Sequence, residues 1–309
     1  VIFSIYLIAL LALLFYLPLT TDPLFVKQIL VMILASTAIL AWLIRILVTK
    51  EINYQYGAVT LALGMLFAVL LFASVFSLSP TQSFFWPDSS GERFASMGAF
   101  IIVSFLVASE FSQKELRRLA TLLLVSGTVL AFLTILRVTA LTSLPEILQT
   151  NSVGGLNNAA IILTAFFVFG LGFAVFRGGE SRSAKILAWS LVISSSIALI
   201  LINFKIGWIG LAAFSAVSAA FYSSRSMSKS EGARYSSAKP SIIFFVILGL
   251  ALYLSLFTLP LGRILPNLRT EIGVTPSIQS TLSIGKEILK TRPILGSGPG
   301  TFVYDYSRF

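Results

Sequence analysis

"GAVTLALGMLFAVLLFASVFSL", residues 57–78, contains no charged residue and no proline. As a helix it would measure about 33 Å at 1.5 Å per residue, close to the hydrocarbon thickness of a bilayer, roughly 30 Å. A helix apolar on every face is buried in a large core or in lipid. Comparable runs recur at roughly 1–19, 24–48, 94–111, 119–143, 158–176, 186–203, 205–222 and 241–261. The chain therefore reads as an all-α integral membrane protein with about nine transmembrane helices over residues 1–261. Residues 262–309 read as the start of a large extracytoplasmic loop carrying an external amphipathic helix.

Composition agrees. Hydrophobic residues make up 57% of 309 positions, charged residues 11%, and mean hydropathy is +0.94. Soluble domains carry about 25% charged residues. Cysteine is absent, which excludes disulfides and thiolate metal sites. Histidine is absent too, which removes the commonest general base and metal ligand. Val1 already stands inside an apolar run and Phe309 stands in mid-loop, so the chain reads as a fragment lacking residues at both ends. No basic region precedes the first run, which favours a true span over a signal peptide.

Charge placement orients the spans. One set of alternate loops collects Arg45, Lys50, Lys114, Arg117, Arg118, Arg177, Arg182, Lys185, Arg225, Lys229, Arg234 and Lys239. The short loops on the other side hold only Lys27, Arg93, Arg137 and Lys205. The positive-inside rule places the first set, and the N-terminus, in the cytoplasm. Residues 262–309 are then extracytoplasmic. The cytoplasmic segment "SSRSMSKSEGARYSSAK" (223–239) is Ser-rich, basic and unpatterned, and reads as a flexible loop or a binder of anionic head groups.

Several outer stretches could carry chemistry. In "SPTQSFFWPDSSGERFASMG" (79–98) the aromatic cluster suits a lipid interface, and Glu92 and Arg93 stand at a helix entry. Arg93 is either a helix-entry charge or a ligand for phosphate, whose oxygens a guanidinium binds in pairs. In "PEILQTNSVGGLNNAA" (145–160), Asn157 and Asn158 form a turn with a helix cap, or a polar lip for sugar hydroxyls or diphosphate. Arg137, about 10 Å from the end of its span, either snorkels or faces a polar cavity. "NFKIGW" (203–208) makes a tight hairpin with Lys205 at its tip, and Gly207 and Gly210 would permit close helix packing.

The last segment differs from the rest. "TLSIGKEILKTR" (281–292) is an amphipathic helix with a basic polar face, suited to a membrane surface and stopped by Pro293. "GSGPGTF" then exposes backbone N–H groups around Gly296, Gly298 and Gly300, which could cradle phosphate. No strand precedes it and no Gly-Lys-Ser/Thr follows, so it is no nucleotide P-loop.

"RPILGSGPGTFVYDYSRF" (292–309), after an amphipathic helix and about nine spans, resembles the O-antigen ligase and polymerase superfamily of bacterial membrane glycosyltransferases. There a Pro-Leu-x-Gly-x-Gly-Pro-Gly-x-Phe segment opens a large external loop. "SLSPTQSFFWPDSSGERFASMGAF" (77–100), "NSVGGLNNAAIILTAF" (151–166) and "INFKIGWIGL" (202–211) are similar to further segments of that family. The chain departs from the pattern at Gln279 and Ser280, where an arginine is common, at Phe204–Lys205, where Ser-Arg is common, and in having no histidine.

The resemblance implies a reaction at the outer face of the bacterial inner membrane. An acceptor hydroxyl on a glycan, lipid or protein attacks the anomeric carbon of a polyprenyl-diphosphate-linked glycan, and the lipid diphosphate leaves. No cofactor, metal or nucleic-acid partner is implied. Arginines aimed at the leaving diphosphate would lower the barrier: Arg93 and Arg292 are favoured, and Arg137, Lys205, Arg263 and Arg269 would help bind the donor. Glu92, Glu271 and Asp305 are the external carboxylates available as base. The competing readings are a secondary transporter or lipid-linked glycan flippase, and a non-catalytic scaffold. Transport by ion coupling would place ionisable residues at midplane, and the first, third, sixth, seventh and ninth apolar runs carry none deep inside.

Overall fold

The computed structural model describes residues 1–15, 23–50, 57–85, 93–139, 156–176, 182–227, 231–256 and 278–301. Among these residues the chain forms helices and no strand: α1 (Ile2–Leu14), α2 (Pro23–Thr49), α3 (Ala58–Val75), α4 (Pro80–Phe85), α5 (Phe94–Glu110), α6 (Gln113–Val138), α7 (Leu156–Phe176), α8 (Arg182–Ile202), α9 (Lys205–Met227), α10 (Glu231–Leu256) and α11 (Ile278–Thr291).

Among the described residues, each apolar run of the sequence falls on a helix. Five helices are long and apolar enough to cross a membrane: Phe25–Thr49 in α2, then α3, α6, Leu156–Val175 in α7, and α8. Ile2–Leu14, Phe94–Glu110, Lys205–Phe221 and Ile242–Leu256 are apolar but shorter. The 13 residues of α1 reach about 20 Å, short of a hydrocarbon core. Their outer faces are apolar: Ile33, Leu40 and Leu47 of α2 are exposed, as are Val59, Met65 and Phe72 of α3. Such surfaces suit lipid rather than water.

The chain divides into two compact units, Val1–Leu122 with Val274–Phe309, and Leu123–Gly273. In the first, α1 packs on α2, α2 on α5, and α5 on α3 and α4. Its core joins Ile5 and Ile8 of α1, Val31, Ala35 and Ala38 of α2, and Ala99, Val103 and Leu106 of α5. Alanines at the α2–α5 contact let the two backbones approach, as in membrane helix pairs. Ser112 and Glu115 form a capping box that starts α6: the Ser112 amide donates to Glu115 Oε2 at 2.7 Å and the Glu115 amide to Ser112 Oγ at 3.4 Å. α11 belongs to this unit too, and the residues that follow it meet the end of α3 and the start of α5.

In the second unit, α7 packs on α8 and α9 on α10. A methyl group built on Gly170 would stand 3.3 Å from the Ala188 carbonyl oxygen, so that glycine sets the α7–α8 spacing. The α8–α9 hairpin is as tight as the sequence implied. Asn203, at φ 51°, turns the chain between Ile202 and Lys205, a left-handed position that asparagine tolerates. A Cβ built on Gly207 would lie 3.0 Å from Thr164 Oγ1, whereas one on Gly210 would meet open space. Only the first of the two glycines makes the close approach expected.

Two further expectations change. α6 ends at Val138, so Arg137 occupies its last turn instead of a site 10 Å inside. A cation there complements the carbonyl end of the helix. The segment expected to be an unpatterned loop, 223–239, is helical to Met227 and again from Glu231. Its serines, lysines and arginines are compatible with helix, and no proline occurs before Pro240.

Candidate functional site

The first unit brings together the two arginines favoured by the sequence and the Gly/Pro segment. Arg93 is the N-cap residue of α5, with extended backbone (φ −85°, ψ 154°). Its side chain is buried, only 7% exposed. Arg93 Nη1 donates to the Gly300 carbonyl oxygen at 2.6 Å. Arg292, just past the end of α11, donates from Nη1 to the Phe76 carbonyl oxygen at 3.2 Å. The two guanidinium groups thus tie 292–301 to the end of α3 and the start of α5.

Serines complete the junction. The Leu78 amide and Ser77 Oγ both donate to the Ser297 carbonyl oxygen, each at 3.0 Å. Ser77 Oγ also shares a 2.6 Å hydrogen bond with Ser83 Oγ of α4. Thr301, fully buried, donates from Oγ1 to the Gly298 carbonyl oxygen at 2.7 Å. Local chemistry shapes the turn: Pro293 ends the helix and the Gly296 amide donates to the Arg292 carbonyl oxygen at 3.2 Å.

The glycines are required for two separate reasons. Gly296, Gly298 and Gly300 have φ of 62°, 108° and 66°, where a side chain is strained. Two of them also leave no room. A Cβ on Gly298 would lie 2.5 Å from Ser77 Cβ, and one on Gly300 would lie 2.6 Å from Arg93 Cζ. Gly296 has open space around it. Beside it lies a groove of about 350 Å³ lined by Phe76, Arg292, Pro293, Ile294, Leu295 and Gly296. Its wall is apolar apart from one guanidinium, a group with five N–H donors of which Phe76 takes one. Such a groove can hold an anionic head group with an attached apolar chain.

At the far end of α5 a second ionic cluster forms. Glu110, its side chain 5% exposed, binds both guanidinium nitrogens of Arg45: Nη1 to Oε2, and Nη2 to Oε1 at 2.8 Å. Trp42 Nε1 donates to the same Oε1 at 3.0 Å. The 17 residues of α5 separate this cluster from Arg93 by about 25 Å. The charges therefore sit at opposite ends of the unit with apolar helix between them.

The other candidates belong to the second unit or lie outside the described residues. Arg137, Asn157, Asn158 and Lys205 belong to the second unit; Asn158 and Lys205 are exposed there, and Arg137 and Asn157 are partly buried. Glu92, Arg263, Arg269, Glu271 and Asp305 lie outside the described residues. Sequence reasoning missed Ser77, Ser83, Ser297 and Thr301, which carry no signature beyond the serine of Gly-Ser-Gly. It treated Arg45 as an orienting loop charge and overlooked Glu110, the acid that closes the fourth apolar run. Comparison with known proteins returns no match to any family model, curated protein or solved structure.

Proposed function

We propose that the chain is a membrane glycosyltransferase that transfers or polymerises a polyprenyl-diphosphate-linked glycan onto an acceptor hydroxyl at the extracytoplasmic face. In this reading all nine apolar runs cross the bilayer of a bacterial inner membrane, with the N-terminus cytoplasmic. The acceptor oxygen attacks the anomeric carbon as the bond from that carbon to the diphosphate oxygen breaks. The bonding pair leaves on the lipid diphosphate, and the acceptor proton passes to a carboxylate such as Glu92 or Asp305. The charge that grows on the leaving group is what arginines would stabilise.

The observation that carries this reading is the convergence of Arg93, Arg292 and the Gly296–Gly300 turn at one end of the first unit. The adjoining groove supports it, since it pairs an apolar wall with Arg292 as a lipid-linked anion requires. The opposite placement of the Arg45–Glu110 pair supports the assigned polarity.

The test is an assay of the purified chain in lipid vesicles with a polyprenyl-diphosphate-linked oligosaccharide and a glycan acceptor. Release of polyprenyl diphosphate coupled to acceptor elongation is expected. Binding of the donor with transport across the vesicle and no release would replace the enzyme reading with a flippase.

A further inference from the structure

The side chains of α11 divide by face. Ile284 is buried, 7% exposed, and belongs to the first unit. At 100° per residue, Leu282, Lys286 and Leu289 fall within an arc of about 60° centred on the opposite side of the helix. All three are exposed, Leu282 at 68% and Leu289 at 57%. Lys290 continues this strip on its polar edge and pairs with Glu287 at 2.5 Å, an exposed contact. Ile294, just past the helix, is 89% exposed. The outward side of α11 is thus a row of large apolar side chains with a lysine between them.

α3 fixes the level of that row. Its 18 residues measure about 27 Å, close to the thickness of a hydrocarbon core. Its exposed apolar side chains run from Val59 through Met65 and Phe72, and Phe76 follows at its end. Phe76 therefore stands at the edge of the hydrocarbon layer. Arg292 donates to the Phe76 carbonyl oxygen, and Ile294 lines one groove with Phe76. The end of α11 is held at this edge, and Ile294 continues the lipid-facing surface of α3 toward Leu289.

Charge selects among the surfaces that such a row can meet. Between Leu282 and Arg292 three cations, Lys286, Lys290 and Arg292, stand against one acid, Glu287. A helix with leucines on its outward side and an excess of lysine is built for the head-group layer. There the lysine stems lie along apolar surface while the ammonium groups reach phosphate.

We propose that α11 is a membrane-surface helix. Its Leu282–Leu289 side enters the head-group layer at the Phe76 end of α3, and Lys286 and Lys290 meet anionic phospholipid. This docking holds whether or not the chain transfers glycan.

The chain has no cysteine, so Leu282→Cys and Leu289→Cys each place a single nitroxide label on the strip. The full chain is placed in phosphatidylcholine vesicles with and without phosphatidylglycerol, and each label is tested for access to oxygen and to a water-soluble nickel chelate. A label at Phe72→Cys, on the exposed side of α3, gives the value for lipid. With phosphatidylglycerol present, both α11 labels are expected to favour oxygen over the chelate. Lys286→Gln, a change at an exposed residue, is expected to lower the immersed-to-wet ratio about 5-fold in those vesicles and to leave it unchanged in phosphatidylcholine alone. Lys286→Arg keeps the wild-type ratio. Labels open to the chelate in both lipids would overturn the docking. Labels shielded from both reagents would assign the strip to a second copy or another protein and overturn it too. Immersion that neither phosphatidylglycerol nor Lys286→Gln alters would overturn the recognition of anionic lipid.

Discussion

Arg93 Nη1 stands 2.6 Å from the carbonyl oxygen of Gly300, a hydrogen bond that joins residues 207 positions apart. It converts a helix N-cap and a distant glycine turn into one structure. A guanidinium that is 7% exposed loses its hydration and needs acceptors in exchange. Gly300 supplies one of them, and the absence of a Cβ there is what admits the guanidinium.

Arg93→Ala removes that tie and the charge together. It is expected to abolish the proposed glycan transfer, destabilise the first unit by about 1.5–3 kcal/mol, and open residues 292–301 to proteases, with membrane insertion normal. Arg292→Ala loses a more exposed contact to Phe76. It is expected to abolish transfer with little change in thermal midpoint. Transfer at wild-type rate in both variants would remove the arginines from the site.

The three glycines are expected to rank by what a methyl group would meet. Gly296→Ala meets open space and carries only the cost of a positive φ, about 1–2 kcal/mol. Gly300→Ala adds a collision with Arg93, whose side chain can shift. Gly298→Ala collides with Ser77 at Cβ and at Cα, so backbone must move, and it is expected to lower the thermal midpoint most. Thermal unfolding of the three variants in one detergent checks the order, and Gly296→Ala as the worst would refute the packing described.

How much of this was legible beforehand follows from the range of each interaction. Apolar runs report on every residue they contain, so helix positions emerged throughout the described residues. The end of α6 at Val138 did not, because Leu141 and Leu144 prolong the apolar run past it. Residues 223–239 were misjudged because hydropathy reports on lipid and not on helix formation. Arg93 and Gly300 were each singled out locally, yet no spacing rule links residues so far apart. Glu110 could have been found: it lies in phase with small buried residues on one helical stripe, a signal that loop charge counting discards.

Glu110 is expected to matter for stability and not for transfer. It accepts from Trp42 and from both guanidinium nitrogens of Arg45. Glu110→Gln keeps an oxygen for Trp42 but loses the charge opposite Arg45. Arg45 is partly exposed and can rehydrate, so a loss of about 1–2 kcal/mol is expected. Glu110→Leu strands the Trp42 indole as well and should cost more. Equal thermal midpoints for wild type and both variants would show that the cluster contributes no stability.

A glycine facing a ring in the second unit offers a reciprocal test. A Cβ on Gly127 of α6 would lie 2.6 Å from Phe166 Cδ1 of α7, with the ring carbons Cε1 and Cγ at 3.0 Å. The Cδ1 edge of the ring meets the glycine, so the ring must turn or shift to admit a methyl group. Gly127→Ala is therefore expected to destabilise the unit by about 1–3 kcal/mol, the usual scale of overpacking. Phe166→Leu alone leaves a gap and also destabilises. The two substitutions together restore contact between a methyl group and a smaller side chain, so the double variant should be more stable than the sum of the single losses implies. Thermal unfolding of the four proteins measures that coupling. Strict additivity would mean that α6 and α7 do not meet at Gly127.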